Sequence, residues 1–308
     1  MFGSSRYNYE EFHRGTLIKN VAKARFGNAP EPGGKAPDFE LWSLEGDKIR
    51  LSDLEDRANV VLTFGSATCP LTAGSVPALQ RLHQKYGKRG VEFLLVYVRE
   101  AHPGERLPAH RNIHEKARAA AVLRDEEGIT FPILLDDLSG KVHRRYGSLP
   151  NPTYIIDRSG RIAFRSFSSR PDAVREALEE LLERQQERNV DHAVVHGGED
   201  RGWPALSSFL HAYRALERGG ERSMRGFQRE LGVPGKLALM GSRVASPVME
   251  HPRVTAATIA AVAGVLGLGL WFGFVLRRRR LEQAPYHGYD YATRSRRGPA
   301  DDYEAVGI

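Results

Sequence analysis

Apolar residues recur along the middle of this chain in two rhythms, and each rhythm predicts a different element. Residues 60–64, Val-Val-Leu-Thr-Phe, and residues 91–98 are short apolar runs rich in β-branched side chains, the pattern of strands buried on both faces. Between them Val76, Leu79, Leu82 and His83 recur at helical spacing over residues 75–86, and Gly87 and Gly90 end that helix. Two buried strands separated by a helix describe a βαβ unit with its strands parallel. Ahead of this unit, residues 37–41 and 49–51 alternate apolar and polar on either side of Glu45-Gly46-Asp47, which predicts a hairpin. Behind it come a helix over 111–126, a strand over 131–135, a short helix over 140–146 and a strand over 150–157 with an antiparallel partner at 161–164. An amphipathic helix over 171–188, opened by Pro171, carries Val174, Leu178, Leu181 and Leu182 on one face. These elements make one α/β domain over residues 34–188.

The pattern changes on both sides of that domain. Residues 1–33 are mixed in charge, contain no apolar run of signal-peptide length and end in a Pro/Gly-rich stretch, so they read as an N-terminal arm. Residues 189–252 form a helical linker region with Gly-rich turns, helices over 203–216 and 224–231, and little apolar content for a core. Residues 254–276 are uncharged and apolar throughout, long enough to cross a bilayer core of about 30 Å, which predicts a transmembrane helix over 253–277 with the lipid bilayer as partner. Gly269 and Gly273 sit four apart within it, a spacing that lets two such helices pack as a homodimer. A basic, Tyr-containing tail over 278–308 completes the chain.

Composition adjusts this picture in two places. The 308 residues are 41% hydrophobic, enough for a proper core, and their net charge of +7 raises the question of nucleic acid. Arg277 to Arg280 directly follow the apolar run, where they set membrane topology and touch anionic lipid, so no nucleic-acid partner is expected. That run of arginines places the tail in the cytoplasm and the α/β domain outside. The missing signal sequence and a lone reactive thiol argue the other way, and the reading adopted is a cytoplasmic domain on a C-terminal single-pass anchor.

The chain has one cysteine, so no internal disulfide can form. Cys69 falls where the strand over 60–64 gives way to a helix opened by Pro70, and free N–H groups with the positive end of the helix dipole favour a thiolate there. It is the candidate nucleophile; the plainer alternative is a small buried hydrophobe. Ser66, Thr68 and Thr72 flank it as hydrogen-bond donors to the sulfur or as ordinary helix caps. The second apolar strand ends just before Glu100 and His102, and in open α/β sheets sites assemble at that edge. His102 is suited to protonating a leaving group near neutral pH and Glu100 to orienting it, against the alternative of solvated loop residues. His110 with His114, and His192 with His196, have metal-ligand spacing, but no third ligand completes either pair, so both read as solvated and no metal or cofactor is expected.

Ala36-Pro-Asp-Phe39, Leu51-Ser-Asp-Leu54, the strand ending in Cys69-Pro70, and Asn151-Pro152-Thr-Tyr-Ile-Ile-Asp157 together resemble the peroxiredoxin and thioredoxin-like superfamily over about half the chain. Within that half, Phe64-Gly-Ser-Ala-Thr-Cys69-Pro70 followed by Val96-Tyr-Val-Arg-Glu100-Ala101-His102 is similar to the iodothyronine deiodinases and their bacterial relatives, which carry selenocysteine at the position of Cys69. The resemblance implies a thioredoxin-like α/β fold with an N-terminal β-hairpin, Cys69 as nucleophile, Glu100 and His102 as active-site groups, and Pro152 as a cis-proline beside the cysteine. Three features depart from the pattern. Thr72 stands where thioredoxins place their second cysteine, the Pro that precedes the peroxiredoxin cysteine motif is missing, and the membrane span is C-terminal where animal deiodinases carry theirs at the N-terminus. The expected function is a membrane-tethered oxidoreductase that reduces a peroxide or a halogenated aromatic through Cys69, with a thiol protein or small thiol as external reductant. The alternative is a non-catalytic thioredoxin-fold module that senses redox state or binds a partner through mixed disulfides.

Overall fold

The computed structural model describes residues 7–13, 15, 29–149, 151–166, 168–195 and 211–249. One mixed sheet holds β1 (Glu40–Ser43), β2 (Lys48–Arg50), β3 (Asn59–Gly65), β4 (Val91–Tyr97), β5 (Ile133–Leu135), β6 (Thr153–Ile156) and β7 (Ile162–Ser166), in the order β2-β1-β5-β4-β3-β6-β7. β3, β4 and β5 run parallel, and β6, β7 and the β1–β2 hairpin are antiparallel additions. The helices are α1 (Pro70–Tyr86), α2 (Ile113–Glu127), α3 (Lys141–Arg145), α4 (Pro171–Arg188), α5 (Ala212–Gly219) and α6 (Glu221–Met249).

Period-two alternation explains the sheet's central position. Every residue of β3 is buried, with Val60, Leu62 and Phe64 facing one core and Val61 the other. β4 repeats the arrangement: Phe93, Leu95 and Tyr97 join Val61, and Leu94 and Val96 join Leu62. The first core is closed by α1, α2 and α4 through Val76, Leu79, Leu123 and Leu178, the second by Tyr146 and Tyr154. Burial of such side chains contributes about 1.5–3 kcal/mol each. α2 begins at a capping arrangement, in which the Asn112 side chain accepts from Glu115 N at 2.9 Å and Glu115 reaches back to Arg111 N at 2.8 Å, and it ends at Gly128 in the left-handed region.

Local boundaries shift from the sequence-based expectation where packing decides. The helix after Cys69 starts at Pro70, as expected of proline at the first helical position, and so extends the periodic stretch 75–86 back to the cysteine. Helix 171–188 is found with the expected bounds. Beyond the sheet, residues 203–210 lie outside the described residues, and the helix expected over 224–231 runs from Glu221 to Met249, with Gly232 breaking its regularity at φ 61, ψ −136. α5 and α6 have a small core of their own in Ala212, Leu216, Phe227 and Leu239. Among the described residues no helix is long and apolar enough to cross a membrane. The transmembrane expectation for 253–277 falls outside the described residues, as do Gly269, Gly273 and the tail.

Candidate active site

Cys69 caps the N-terminus of α1, immediately after β3 turns. Its N–H donates to Ser66 O at 3.2 Å and its carbonyl accepts from Ala73 N at 3.0 Å, so the sulfur stands at the open end of the helix. The turn depends on Gly65, where an added Cβ would lie 2.6 Å from Thr72 Oγ1. The helix end behaves only partly as the sequence suggests. The Thr72 N–H and hydroxyl and the Leu71 N–H point at the thiol and pull its pKa down, but burial is the larger effect and Glu100 adds to it, so the thiol is pushed above its ordinary value. Cys69 is 2% exposed, and this enclosure, invisible to local sequence rules, overturns the expectation of an acidified thiol.

Glu100 and His102 lie just past the end of β4 and are buried with it. Glu100 is the hub. Its Oε2 accepts the Thr68 N–H at 3.0 Å and the Thr68 hydroxyl at 2.6 Å, and its Oε1 accepts the Tyr97 hydroxyl. His110 Nε2 stands 3.2 Å from Oε1, an ion-pair distance off the line of a hydrogen bond. Burial pushes the Glu100 carboxyl up, yet His110, Thr68 and Tyr97 together outweigh it and hold the group below the ordinary carboxylate range. Thr68 Oγ1 also accepts from His102 N at 3.0 Å, and Ser66 Oγ accepts from Ala101 N at 3.1 Å. Ser66 and Thr68 therefore join the cysteine loop to the Glu100–His102 loop, and of the three hydroxyls only that of Thr72 turns to the sulfur.

His102 sits between Phe12, at 4.2 Å between ring centroids, and Phe227, at 5.3 Å. Burial pushes its pKa down to about 3 against the opposing charge of Glu100, so it is a neutral imidazole at pH 7 rather than the near-neutral titrating group expected. Its Nδ1 is buried with no hydrogen-bond partner among the described residues.

Pro152 precedes β6, and its carbonyl accepts from Phe64 N at 3.1 Å, which ties it to the end of the strand leading to Cys69. The described residues contain no cis peptide bond, so the Asn151–Pro152 bond is trans and the cis-proline implied by the resemblance is corrected. Asn151 bridges to Ser168, and its side chain donates to Phe64 O at 2.8 Å and accepts from Ser169 N at 3.0 Å. Those bonds hold the segment extended, where the ordinary trans preference of about 0.5–1 kcal/mol is left to stand.

Several residues of the site escape sequence reasoning. His110, read as solvated beside His114, is buried against Glu100 and Tyr97. Arg218 of α5 donates to Ala67 O at 3.2 Å, two residues before Cys69, while its guanidinium is paired with Glu126 at 2.5 Å and with Glu127. Phe12 and Phe227 come from the arm and from α6, stretches with no motif to mark them. His192 pairs with Asp157 at 2.5 Å, His196 lies outside the described residues, and among the described residues no group of three ligands is placed to hold a metal.

A central β3-α1-β4 unit with a cysteine capping α1 and a carboxylate past β4 is a thioredoxin-like arrangement. Residues 32–165 match the AhpC/TSA family. Among characterised proteins the chain is 30% identical over 191 residues to thyroxine 5-deiodinase of Ovis aries, covering 58% of this chain and 62% of that one. It is 32% identical over 131 residues to the thiol-disulfide oxidoreductase ResA of Geobacillus thermodenitrificans, covering 42% of this chain and 66% of that one. The chain thus spans a little under two thirds of the length of these two relatives. A solved thiol:disulfide interchange protein from Chlorobium tepidum aligns with a TM-score of 0.40 and 26% identity over 49% of this chain and 95% of its own.

Proposed function

We propose that this protein is a thiol-dependent oxidoreductase in which Cys69 reduces a peroxide or a halogenated aromatic and an external thiol restores it. The observation that carries this reading is the joining of the two loops at Glu100: the residue before Cys69 is bonded through both its N–H and its hydroxyl to a carboxylate next to His102. In the peroxide reaction the thiolate attacks the terminal oxygen, the O–O bond breaks, and the products are a sulfenic acid and an alcohol or water. In the halide reaction the thiolate takes the halogen, the ring carbon gains a proton, and a sulfenyl halide forms. One external thiol then displaces hydroxide or halide to give a mixed disulfide, and a second releases Cys69. Thr72 supplies hydrogen bonds to the thiolate, and the unpartnered Nδ1 of neutral His102 is available to the departing group. Ser66, Thr68 and Pro152 hold the two loops in register. The deiodinase and ResA relatives support redox chemistry of this kind.

The chain's apolar stretch over 253–277 supports a tether to the inner face of a membrane, with the redox domain in the cytoplasm and glycine-mediated pairing of spans. Protease protection in sealed vesicles tests this, and cleavage of the redox domain from the outside overturns the sidedness. The activity is tested by thiol-dependent turnover of hydrogen peroxide and of an iodinated phenol, side by side on the wild type and Cys69→Ser. Turnover by both proteins alike would sink it. The enclosure of Cys69 favours one second reading, a redox-sensing module that forms mixed disulfides without turnover. Capture of a protein partner that Cys69→Ser loses, with no peroxide consumed, selects it.

A further inference from the structure

Two segments outside the redoxin core meet on His102, and they are held differently. The α5–α6 hairpin is a fixed wall. Ser223 Oγ donates to His102 O at 2.7 Å, the Glu105 carboxylate accepts from Glu221 N and Arg222 N at 2.6 and 2.9 Å, and an added Cβ on Gly104 would come within 2.1 Å of Gly219 O. Arg218 is buried in the same joint between Ala67 O and two glutamates. Residues 7–12, by contrast, are a peptide laid over the site and fastened by side chains. The Tyr7 hydroxyl bonds His143 Nδ1 at 2.7 Å, its ring lies under the Arg99 guanidinium at 4.6 Å, and its seat exists because residue 140 is glycine, where a Cβ would meet the ring at 2.1 Å. Asn8 donates to Leu138 O at 2.9 Å and Tyr9 to Ala101 O at 2.8 Å. These anchors carry Phe12 onto the His102 ring, which Phe227 also touches, and Glu11 reaches across to Arg229 of the wall at 2.9 Å.

We propose that residues 7–12 are an autoinhibitory strap whose Phe12 ring packs on His102, so that Cys69 reacts only when the strap lifts. The strap is an equilibrium element: its fastenings are a few hydrogen bonds, the buried Tyr7 and Phe12 rings with Arg99 over Tyr7, and one exposed ion pair, and none of them belongs to the sheet. Closed, it covers His102 and Ala101 and holds the half-buried Tyr9 near enough to feel the charge of Cys69. Lifted, it opens the sulfur and the His102 ring to solvent together. The inference concerns the same site as the proposed reaction, but it is read out by access to the sulfur rather than by turnover.

The test is the rate at which N-ethylmaleimide labels Cys69, the chain's sole cysteine, in the full-length protein. The wild type is expected to label at least about tenfold more slowly than the same chain unfolded in guanidinium at equal pH, since only the open fraction reacts. Phe12→Ala is expected to speed labelling about tenfold. Phe12→Tyr, which keeps a ring on His102, is expected to label at the wild-type rate. Tyr7→Phe, which loses only the bond to His143, is expected to speed labelling about fivefold. Hydrogen exchange of the β3 and β4 amides should stay as slow in these variants as in the wild type, which separates lifting of the strap from unfolding. Wild-type labelling as fast as the unfolded chain overturns the proposal, and so do Phe12→Ala and Tyr7→Phe variants that both label at the wild-type rate. Faster labelling in the variants with no turnover in any of them keeps the strap and removes the enzyme.

Discussion

Thr68 and Glu100 are bonded twice: the N–H and the hydroxyl of Thr68 both donate to the same carboxylate oxygen, at 3.0 and 2.6 Å. Thr68 is the residue before Cys69, so the charge state of a carboxylate past β4 fixes the backbone that carries the sulfur. With its Oε1 held by the Tyr97 hydroxyl and facing His110, Glu100 is an acceptor on every side. Glu100→Gln replaces one acceptor with an NH2 that must face either a donating Thr68 or a donating Tyr97. Turnover is expected to fall about 100-fold. Circular dichroism should show the fold retained, and steady-state rates on the substrate that proves active check the loss; a drop of less than about threefold would deny Glu100 its place in the site.

Thr72 gives the thiol its one side-chain donor, and its other contacts, to Ser66 N and Asn151 Nδ2, are both long at 3.4 Å. Thr72→Val therefore removes chiefly the bond to sulfur. The expected outcome is a thiol pushed further up and sulfenate capture by dimedone slowed about tenfold at pH 7. The same position is the third residue of α1, where a thiol would meet Cys69. In Thr72→Cys, peroxide should yield an internal disulfide, read by mass spectrometry as the loss of two hydrogens. Glutathione adducts, the expected intermediate in the wild type, should then disappear.

His102 and His143 are both pushed by burial from the ordinary value to about 3. Below about pH 6.5 the unfolded chain takes up protons that the folded one refuses, until the folded groups titrate near 3. Between those limits stability rises with pH, by up to about 1.4 kcal/mol per unit for each histidine. The stability they lend is complete above pH 6.5 and is lost as pH falls through the window. Urea midpoints measured from pH 7 to pH 4 should fall, and His102→Leu, which puts an apolar side chain between Phe12 and Phe227, should flatten the slope by about one proton. An unchanged slope in that variant would mean that His102 is hydrated and charges freely.

The parts of this arrangement that sequence makes legible are those governed by local rules. Val60 to Phe64 alternates between two cores, Pro70 opens α1, and Val174, Leu178 and Leu181 lie along one face of α4, so the sheet, its helices and the place of Cys69 follow from period and capping. What was not legible depends on residues far apart in sequence. The acidity expected of the Cys69 thiol is reversed by its enclosure, with Phe12 and Phe227 meeting on the adjacent His102. His110 has the spacing of a surface histidine and the environment of a core one, because its loop folds back on Glu100. The cis form implied for Pro152 gives way to trans where Asn151 is tied to Phe64 and Ser169.

Arg218 makes the strongest case that the chain beyond the redoxin domain belongs to the site. Its guanidinium is almost wholly buried and is compensated by Glu127, whose side chain is 1% exposed, and by the half-exposed Glu126. Its third nitrogen, Nη1, donates to Ala67 O, so one side chain connects the end of α2, the end of α5 and the cysteine loop. Arg218→Met leaves Glu127 buried beside Arg214 alone, and breaking a buried pair in this way costs about 3–5 kcal/mol. Arg218→Met with Glu127→Gln should recover part of that loss in denaturant unfolding, because the buried charge left with one of its two partners is gone while the Ala67 contact is still missing. The double variant then isolates the contact. If Arg218 only holds α5 in place, sulfenate formation at Cys69 in the double variant should match the wild type. If it holds the cysteine loop, sulfenate formation should be slowed and its pH midpoint moved, with stability partly restored, and that is the outcome the geometry leads us to expect.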